Sequence, residues 1–316
     1  ALDLVDAAAD AGADAIKLQT YTADTLTLDS RSDGFVVLDK ESPWFGRTLY
    51  ELYSEASTPW EWHSDIMTRA SERGLTCFSS PFDNSAVDFL ENLGVSAYKI
   101  ASAEIIDHGL IKYIAKTGKP MILSTGMATL SEIADAVTVA HSVGNKNVAL
   151  LQCTASYPAS PEHSNIMTIP NMRETFGCEV GLSDHTMGVG AAVGAVALGA
   201  TIIEKHFTMR RSDGGVDAAF SLEPSELAQL VVETDRVRLA LGKVSYGPTE
   251  SEKQGFKFRR SLYVCEDIQE GEVFSEANVR SIRPGLGMHP KYLKTVLGRS
   301  AKYKLKKGTP LSFDAI

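Results

Sequence analysis

Seven short runs of nearly unbroken apolar sequence, spaced by helical stretches, limit what this chain can fold into. They cover residues 14–21, 76–81, 97–102, 120–126, 148–154, 179–185 and 201–208. A strand wet on one face alternates apolar and polar residues. These runs do not alternate, which is how parallel strands covered on both faces read. Parallel strands with crossover helices build either a closed (β/α)8 TIM barrel or a doubly wound open sheet. The open sheet is the weaker alternative, because no GxGxxG follows any of the runs. Residues 2–11 read as an amphipathic helix that leads straight into the first run. A barrel would place a strand ahead of that helix, so the expected fold is a TIM barrel whose first strand is absent from this sequence.

Punctuation supports the alternation. Thr58-Pro59-Trp60-Glu61 has the form of a capping box with proline at the first helical position, and Gly74 ends that helix. Thr129-Leu130-Ser131-Glu132 is a second box. It opens a helix with Leu130, Ile133, Ala134, Val137 and Ala140 on one face and Gly144 after its end. Pro224 opens the last long helix, to about Leu241. These elements set a barrel domain over 1–242. The polar stretch 243–257 reads as a linker, and 258–316 as a small, mostly β module with strands near 261–265 and 279–282. The patternless stretch from Ser30 to Tyr50 is expected to be a loop across the barrel mouth.

The charge is uneven along the chain. The net charge is -9, yet residues 258–316 hold 11 Lys+Arg against 6 Asp+Glu. A basic module thus follows an acidic one. It has no aromatic-basic pattern of a nucleic-acid reader, and helping to hold a small anion suits it better. No apolar run reaches the roughly 18 residues of a membrane helix. The start has neither the basic region nor the cleavage site of a signal peptide. Cys77, Cys153, Cys178 and Cys265 form no CxxC pair and read as reduced thiols. A cytoplasmic enzyme is expected.

Polar residues gather where the apolar runs end. Lys17 and Gln19 end the first, Ser79 and Ser80 the second, Lys99 and Ser102 the third, and Ser124 and Thr125 the fourth. Thr154 ends the fifth, Ser183, Asp184 and His185 the sixth, and Glu204 and His206 the seventh. In a parallel barrel all these ends face one opening, where active sites lie. Lys17 and Lys99 interrupt apolar strands, which is costly without a partner. They are either halves of internal salt bridges or, with Ser80, Ser102, Ser124 and Ser183, a cradle for a phosphate or carboxylate. Lys99 could also serve as a Schiff-base lysine. His185 and His206 end adjacent strands, with Glu104 on the same rim, and suggest a divalent-metal site for Mn, Fe or Zn. His63, His108, His141, His163 and His289 show no ligand spacing.

Several stretches resemble a known family. Gly12-Ala13-Asp14-Ala15-Ile16-Lys17-Leu18-Gln19, Phe78-Ser79-Ser80-Pro81-Phe82, Tyr98-Lys99-Ile100-Ala101-Ser102, Leu123-Ser124-Thr125-Gly126-Met127, Gly181-Leu182-Ser183-Asp184-His185 and Glu204-Lys205-His206-Phe207 look like the sialic-acid (nonulosonate) synthases. Arg259–Ile316, with Ser281-Ile282-Arg283-Pro284-Gly285, resembles that family's C-terminal antifreeze-like (SAF) domain. The resemblance implies a transferase that condenses phosphoenolpyruvate with an acetamido sugar to a nonulosonic acid and phosphate. It implies that Lys17, Ser80, Lys99, Ser102, Ser124 and Ser183 bind phosphoenolpyruvate, and that His185 and His206 hold Mn, or else Mg or Co. Gln19, Glu104, Tyr157 and Asp217 would meet the sugar or metal-bound water. Arg283 would reach the partner's site in a domain-swapped homodimer.

Two departures stand out. Sialic-acid synthases proper tend to carry Asn where Ala155 follows Cys153-Thr154, and the Glu and Asn-His pair of the family's first strand are not in this sequence. Lys17-Leu18-Gln19-Thr20-Tyr21-Thr22, Leu49-Tyr50-Glu51-Leu52-Tyr53, Thr58-Pro59-Trp60-Glu61-Trp62-His63 and Arg260-Ser261-Leu262-Tyr263 most resemble the pseudaminic-acid branch. The implied sugar is then 2,4-diacetamido-2,4,6-trideoxy-L-altrose, with N-acetylneuraminate or legionaminate synthesis as alternatives. A Schiff-base aldolase and a non-catalytic carbohydrate-binding protein are the rivals from other classes.

Overall fold

The computed structural model describes residues 1–40, 42 and 44–316, and the chain divides into two compact units, Ala1–Gly242 and Lys243–Ile316. In the first unit, β1 (Ala15–Thr20), β2 (Thr76–Pro81), β3 (Tyr98–Ile100), β4 (Met121–Ser124), β5 (Val148–Cys153), β6 (Glu179–Asp184) and β7 (Ile202–Lys205) form one sheet. The strands lie side by side in sequence order and every pairing is parallel. Each strand falls within an apolar run read from the sequence; β2 fills its run and the others are trimmed at one or both ends.

The sheet is curled. Laid flat, six spacings between seven strands would hold β1 and β7 about 29 Å apart. Instead Lys17 Nζ of β1 lies 2.9 Å from Glu204 Oε1 of β7. Among the described residues β1 and β7 share no backbone ladder. The architecture is therefore a (β/α) barrel wall of seven parallel strands, as expected, with its edge strands joined by side chains.

The outer face of the sheet packs under the helices. Tyr98, Ile100, Leu123, Leu150, Val180 and Leu182 are almost fully buried and share one apolar cluster with residues of the surrounding helices. Burying side chains of this size stabilises by about 1.5–3 kcal/mol each. Gly181 is obligatory in this wall. A Cβ there would come within 2.1 Å of the Ile202 carbonyl and 2.7 Å of Leu151 Cδ2, so only glycine lets β6 and β7 approach.

The helix signals held in part. Thr129 caps the helix Leu130–Ser142, and Glu132 returns the bond to the Thr129 amide. That helix buries Ile133, Ala136, Val137 and Ala140, whereas Leu130 is exposed at its first turn, outside the expected face. Thr58 does not cap. Pro59 precedes a short 3-10 turn, Trp60–Trp62, ahead of the helix His63–Glu72, and no side chain bonds its amides. A reciprocal box that the sequence reading passed over stands at Thr48 and Glu51, opening Leu49–Ala56. Of the Ser30–Tyr50 loop, Glu41 and Pro43 lie outside the described residues. Its limbs are tied by the Val37 and Arg47 backbone, and Trp44 packs its ring 6.4 Å from that of Tyr157.

The second unit carries its own core, with Leu262, Val264, Phe274, Val279, Val296 and Leu311 buried together. β8 (Ser261–Val264) and β9 (Val279–Ile282) pair antiparallel, and bridges at Tyr263–Pro310, Ile268–Leu305 and Val273–Ser300 tie in the remaining turns. The stretch 243–257 belongs to this unit. It forms a short turn from Lys253 to Phe258, and the Gly285 amide donates to the Lys257 carbonyl. Cys153 and Cys265 are buried, and Cys77 and Cys178 are half-buried; all four are free thiols. No helix among the described residues is long and apolar enough to cross a membrane.

Candidate active site

Side chains alternate across a strand, and this alternation sorts the residues at the barrel mouth into two sets. Lys17 and Gln19 share the inner face of β1, with Ile16 and Leu18 turned to the helices, where they pack on Val5, Ile66 and Ala70. Thr20 also faces outward. Its hydroxyl joins Ser79 Oγ at 2.7 Å and Nε2 of fully buried His63 at 2.8 Å. Ser79 and His63 thus belong to the wall. Ser80, the next residue, is buried with its hydroxyl unpartnered.

The inner set converges on one carboxylate. Glu204 Oε1 accepts from Ser183 Oγ at 2.8 Å across the β6–β7 pair and lies 2.9 Å from Lys17 Nζ and 3.3 Å from Lys99 Nζ. Lys99, only 2% exposed, also donates to Ser124 Oγ at 2.7 Å. Burial lowers Lys99 to about 8, against the upward pull of Glu204. Burial alone would raise Glu204, but Lys17 and then Lys99 outweigh it and hold the carboxyl well below the usual carboxylate range. The salt-bridge reading of the two lysines is thus realised, with one acid serving both.

Beside this cluster, the turn Ser102–Ile106 follows β3. Ser102 Oγ accepts from the Gly126 amide at 3.1 Å. A Cβ on Gly126 would fall 2.7 Å from Ser102 Oγ and 3.2 Å from Ala155 Cβ, so Ala155 packs on the same loop junction. Glu104 is largely desolvated, which raises its carboxyl, and its Oε2 is buried with no partner. Two buried polar atoms of the barrel mouth, Ser80 Oγ and Glu104 Oε2, thus find no partner within the chain.

The two histidines lie side by side, each with one ring nitrogen facing an oxygen. Their ring centroids are 5.2 Å apart. His185 Nδ1 lies 2.9 Å from the Thr154 carbonyl, which only accepts, so Nδ1 carries the proton and Nε2 keeps its lone pair. Burial lowers His185 to about 4, so it is neutral at neutral pH without a metal to displace its proton. His206 Nδ1 faces Asp217 Oδ2 at 3.3 Å, which leaves Nε2 free in the same way. Asp217, expected at the sugar or metal-bound water, thus lies against a histidine ring. Tyr157 stacks 4.4 Å from His185 and 5.2 Å from Phe220. Among the described residues no third His, Cys, Asp or Glu completes a ligand set.

Behind the histidines, on the other face of the sheet, Lys205 and Asp184 form a pair at 3.0 Å, both almost fully buried. Lys205 Nζ also donates to the Thr186 carbonyl at 2.5 Å, and Asp184 Oδ1 accepts the Thr186 amide. The pair brackets His185 from both sides. Sequence reasoning gave no role to Glu204, Lys205 or Asp184 individually. The signal was present: Glu204 stands one strand-repeat before His206, opposite Ser183, and Lys205 stands opposite Asp184. Arg283 lies exposed beyond β9 in the second unit, and the first unit's cluster forms without it.

Fold and cluster together define a β/α-barrel protein whose mouth gathers two lysines on one carboxylate, with a pair of histidines at its edge. The chain belongs to the NeuB family, which matches residues 4–246, and a SAF domain matches residues 259–316. It is 43% identical to the pseudaminic acid synthase of Helicobacter pylori over 309 residues, spanning 97% of this chain and 90% of that protein. It is 35% identical to the N,N'-diacetyllegionaminic acid synthase of Campylobacter jejuni over 312 residues, covering 96% and 91%. Among solved structures, the N-acetylneuraminic acid synthetase of Leptospira borgpetersenii superposes with a TM-score of 0.71 at 33% identity, covering 82% of this chain and 85% of that one.

Proposed function

We propose that this protein condenses phosphoenolpyruvate with an open-chain acetamido sugar, 2,4-diacetamido-2,4,6-trideoxy-L-altrose, to give pseudaminic acid and phosphate. The observation that carries the reading is the cluster of Lys17, Lys99, Ser124 and Ser183 at the mouth of the barrel, where Ser80 Oγ and Glu104 Oε2 are also buried and unpartnered. The choice of sugar follows the higher identity to a pseudaminic acid synthase than to a legionaminic acid synthase.

The two lysines supply fixed positive charge to the phosphate and carboxylate of phosphoenolpyruvate. Ser80, Ser102, Ser124 and Ser183 supply hydroxyl donors. Their contribution is positioning and charge stabilisation in a site that already holds the donors in place. The enol carbon forms a bond to the aldehyde carbon of the sugar, water adds to the neighbouring carbon, and phosphate leaves with the bridging oxygen. Gln19, Glu104 and Tyr157 line the sugar side. Glu104, whose carboxyl is raised by burial, would give a proton to the developing alkoxide.

His185 and His206 fit a divalent ion such as Mn, or Mg or Co, since each has Nδ1 committed to an oxygen and Nε2 free. When bound, such an ion polarises the sugar aldehyde. Arg283 is the basic residue that would complete the site from the SAF module of a second subunit in a cytoplasmic homodimer.

The test is phosphate release and product mass with a panel of acetamido sugars. The reading expects the diacetamido altrose to be a good substrate and N-acetylmannosamine a poor one. The reverse order would refute the branch. Trapping by borohydride would favour a Schiff-base aldolase on Lys99 instead.

A further inference from the structure

Groups that the function above assigns to the substrate's anion are already engaged by a single atom of the chain. Glu204 Oε1 takes Ser183 at 2.8 Å, Lys17 at 2.9 Å and Lys99 at 3.3 Å. The sheet puts it there, since Glu204 lies opposite Ser183 in the β6–β7 register. A carboxylate that served only to neutralise buried Lys99 would be expected to sit sealed beside it. Glu204 and Lys17 instead keep 17% and 20% of their side chains accessible. An anion entering the mouth therefore meets the Lys17 ammonium directly, and reaches Lys99 and Ser183, both almost fully buried, as Glu204 withdraws. Ser80, opposite Gln19 in the β1–β2 register, keeps its hydroxyl buried and unpartnered.

We propose that Glu204 is a resident competitor for the anion subsite. It holds Lys17, Lys99 and Ser183 in place while the subsite is empty, yields them to the incoming anion, and takes them back as phosphate departs. The identity of that anion as phosphoenolpyruvate rests on the reading above; the competition rests on the geometry alone. Its consequence is that every anion binds beside a like charge, which weakens binding and speeds release. A carboxylate that merely aimed the lysines would do the opposite, and its removal would weaken anion binding.

The two roles differ in sign under one substitution. Glu204→Gln keeps the size and an acceptor oxygen but removes the charge. Inorganic phosphate, titrated calorimetrically into the full chain, should bind about tenfold tighter to the variant than to the wild type, the weight of one charge-assisted contact. Phosphate should also raise the melting temperature of the variant more than that of the wild type. In turnover, KM for phosphoenolpyruvate and kcat should both fall, as expected when release slows. Unchanged or weaker phosphate binding overturns the proposal. Should the glutamine variant not fold without an anion, Glu204→Asp keeps the charge and withdraws the oxygen by one methylene. It too should bind phosphate more tightly, and equal or weaker binding overturns the proposal. If no sugar elicits phosphate release from phosphoenolpyruvate, yet Glu204→Gln tightens phosphate binding, the functional reading fails and the competitor stands. Turnover with an unmoved phosphate affinity leaves the reading and removes the competitor.

Discussion

At the scale of single residues, Lys99 offers a quantitative check. It is 2% exposed, and its charge is held by Glu204 and the Ser124 hydroxyl. Lys99→Met keeps the stem and deletes the charge. Loss of a charge-assisted contact should cost about 1.5–3 kcal/mol of phosphoenolpyruvate affinity, read by titration. Binding needs the ammonium form, and Lys99 is lowered from 10.5 to about 8 by burial. Affinity should therefore be full below about 8 and fall as pH rises through it. The stability linkage has the opposite sense: between about 8 and 10.5 the unfolded chain binds the extra proton, so this group adds stability as pH rises. Much of this set was legible in the sequence. A lysine inside an apolar run must face something, and the strand-end position fixed which opening it faces. Glu204 was not legible as the partner of both lysines. Sequence shows that an acid ends the seventh strand, but only the curl of the sheet brings β7 within reach of β1. Asp217 was legible only through the family resemblance, since it comes from a loop after β7 and no periodicity fixes where a loop side chain points.

At the scale of elements, the ends of β6 and β7 act as one unit. Their inner faces carry the Ser183–Glu204 bond and the two histidines, and their outer faces carry Asp184–Lys205. Lys205→Met strands the Asp184 carboxylate in an almost fully buried position, and breaking such a pair costs about 3–5 kcal/mol. Chemical denaturation should show that loss. Lys205→Met combined with Asp184→Asn removes both charges while retaining an acceptor for the Thr186 amide. It should recover most of the stability, and a double variant no more stable than the single one would show that the pair is not the cause. By contrast, His185→Ala or His206→Ala should leave the melting temperature within a few degrees while turnover nearly vanishes. Chelation of the wild type should do the same, and full activity in the presence of EDTA would sink the metal assignment. All seven strands could be read from sequence because runs covered on both faces are continuous. Caps were less secure. Thr129 and Glu132 close their box, but Pro59 fixes the chain ahead of a 3-10 turn, where Thr58 finds no amide to accept. The Thr48 box went unread inside a stretch that looked patternless.

For the whole molecule, composition marks a basic β-rich module over 258–316 after an acidic barrel, whereas the compact units divide at Gly242 and the stretch 243–257, expected as a linker, falls in the second. The role proposed for that module turns on Arg283. Arg283→Ala and Lys99→Met chains should each be inactive alone. After subunit exchange the mixture should regain part of the activity, because one site of the mixed dimer pairs an intact barrel with an intact arginine. A mixture that stays dead would place Arg283 within its own chain or outside the reaction. The central claim concerns the bond that breaks. Phosphoenolpyruvate carrying heavy oxygen in its bridging position, incubated with the protein and the diacetamido altrose, should yield phosphate that retains the label, in step with a nine-carbon acid and only when the sugar is present. Unlabelled phosphate, or release that does not depend on the sugar, would contradict the account.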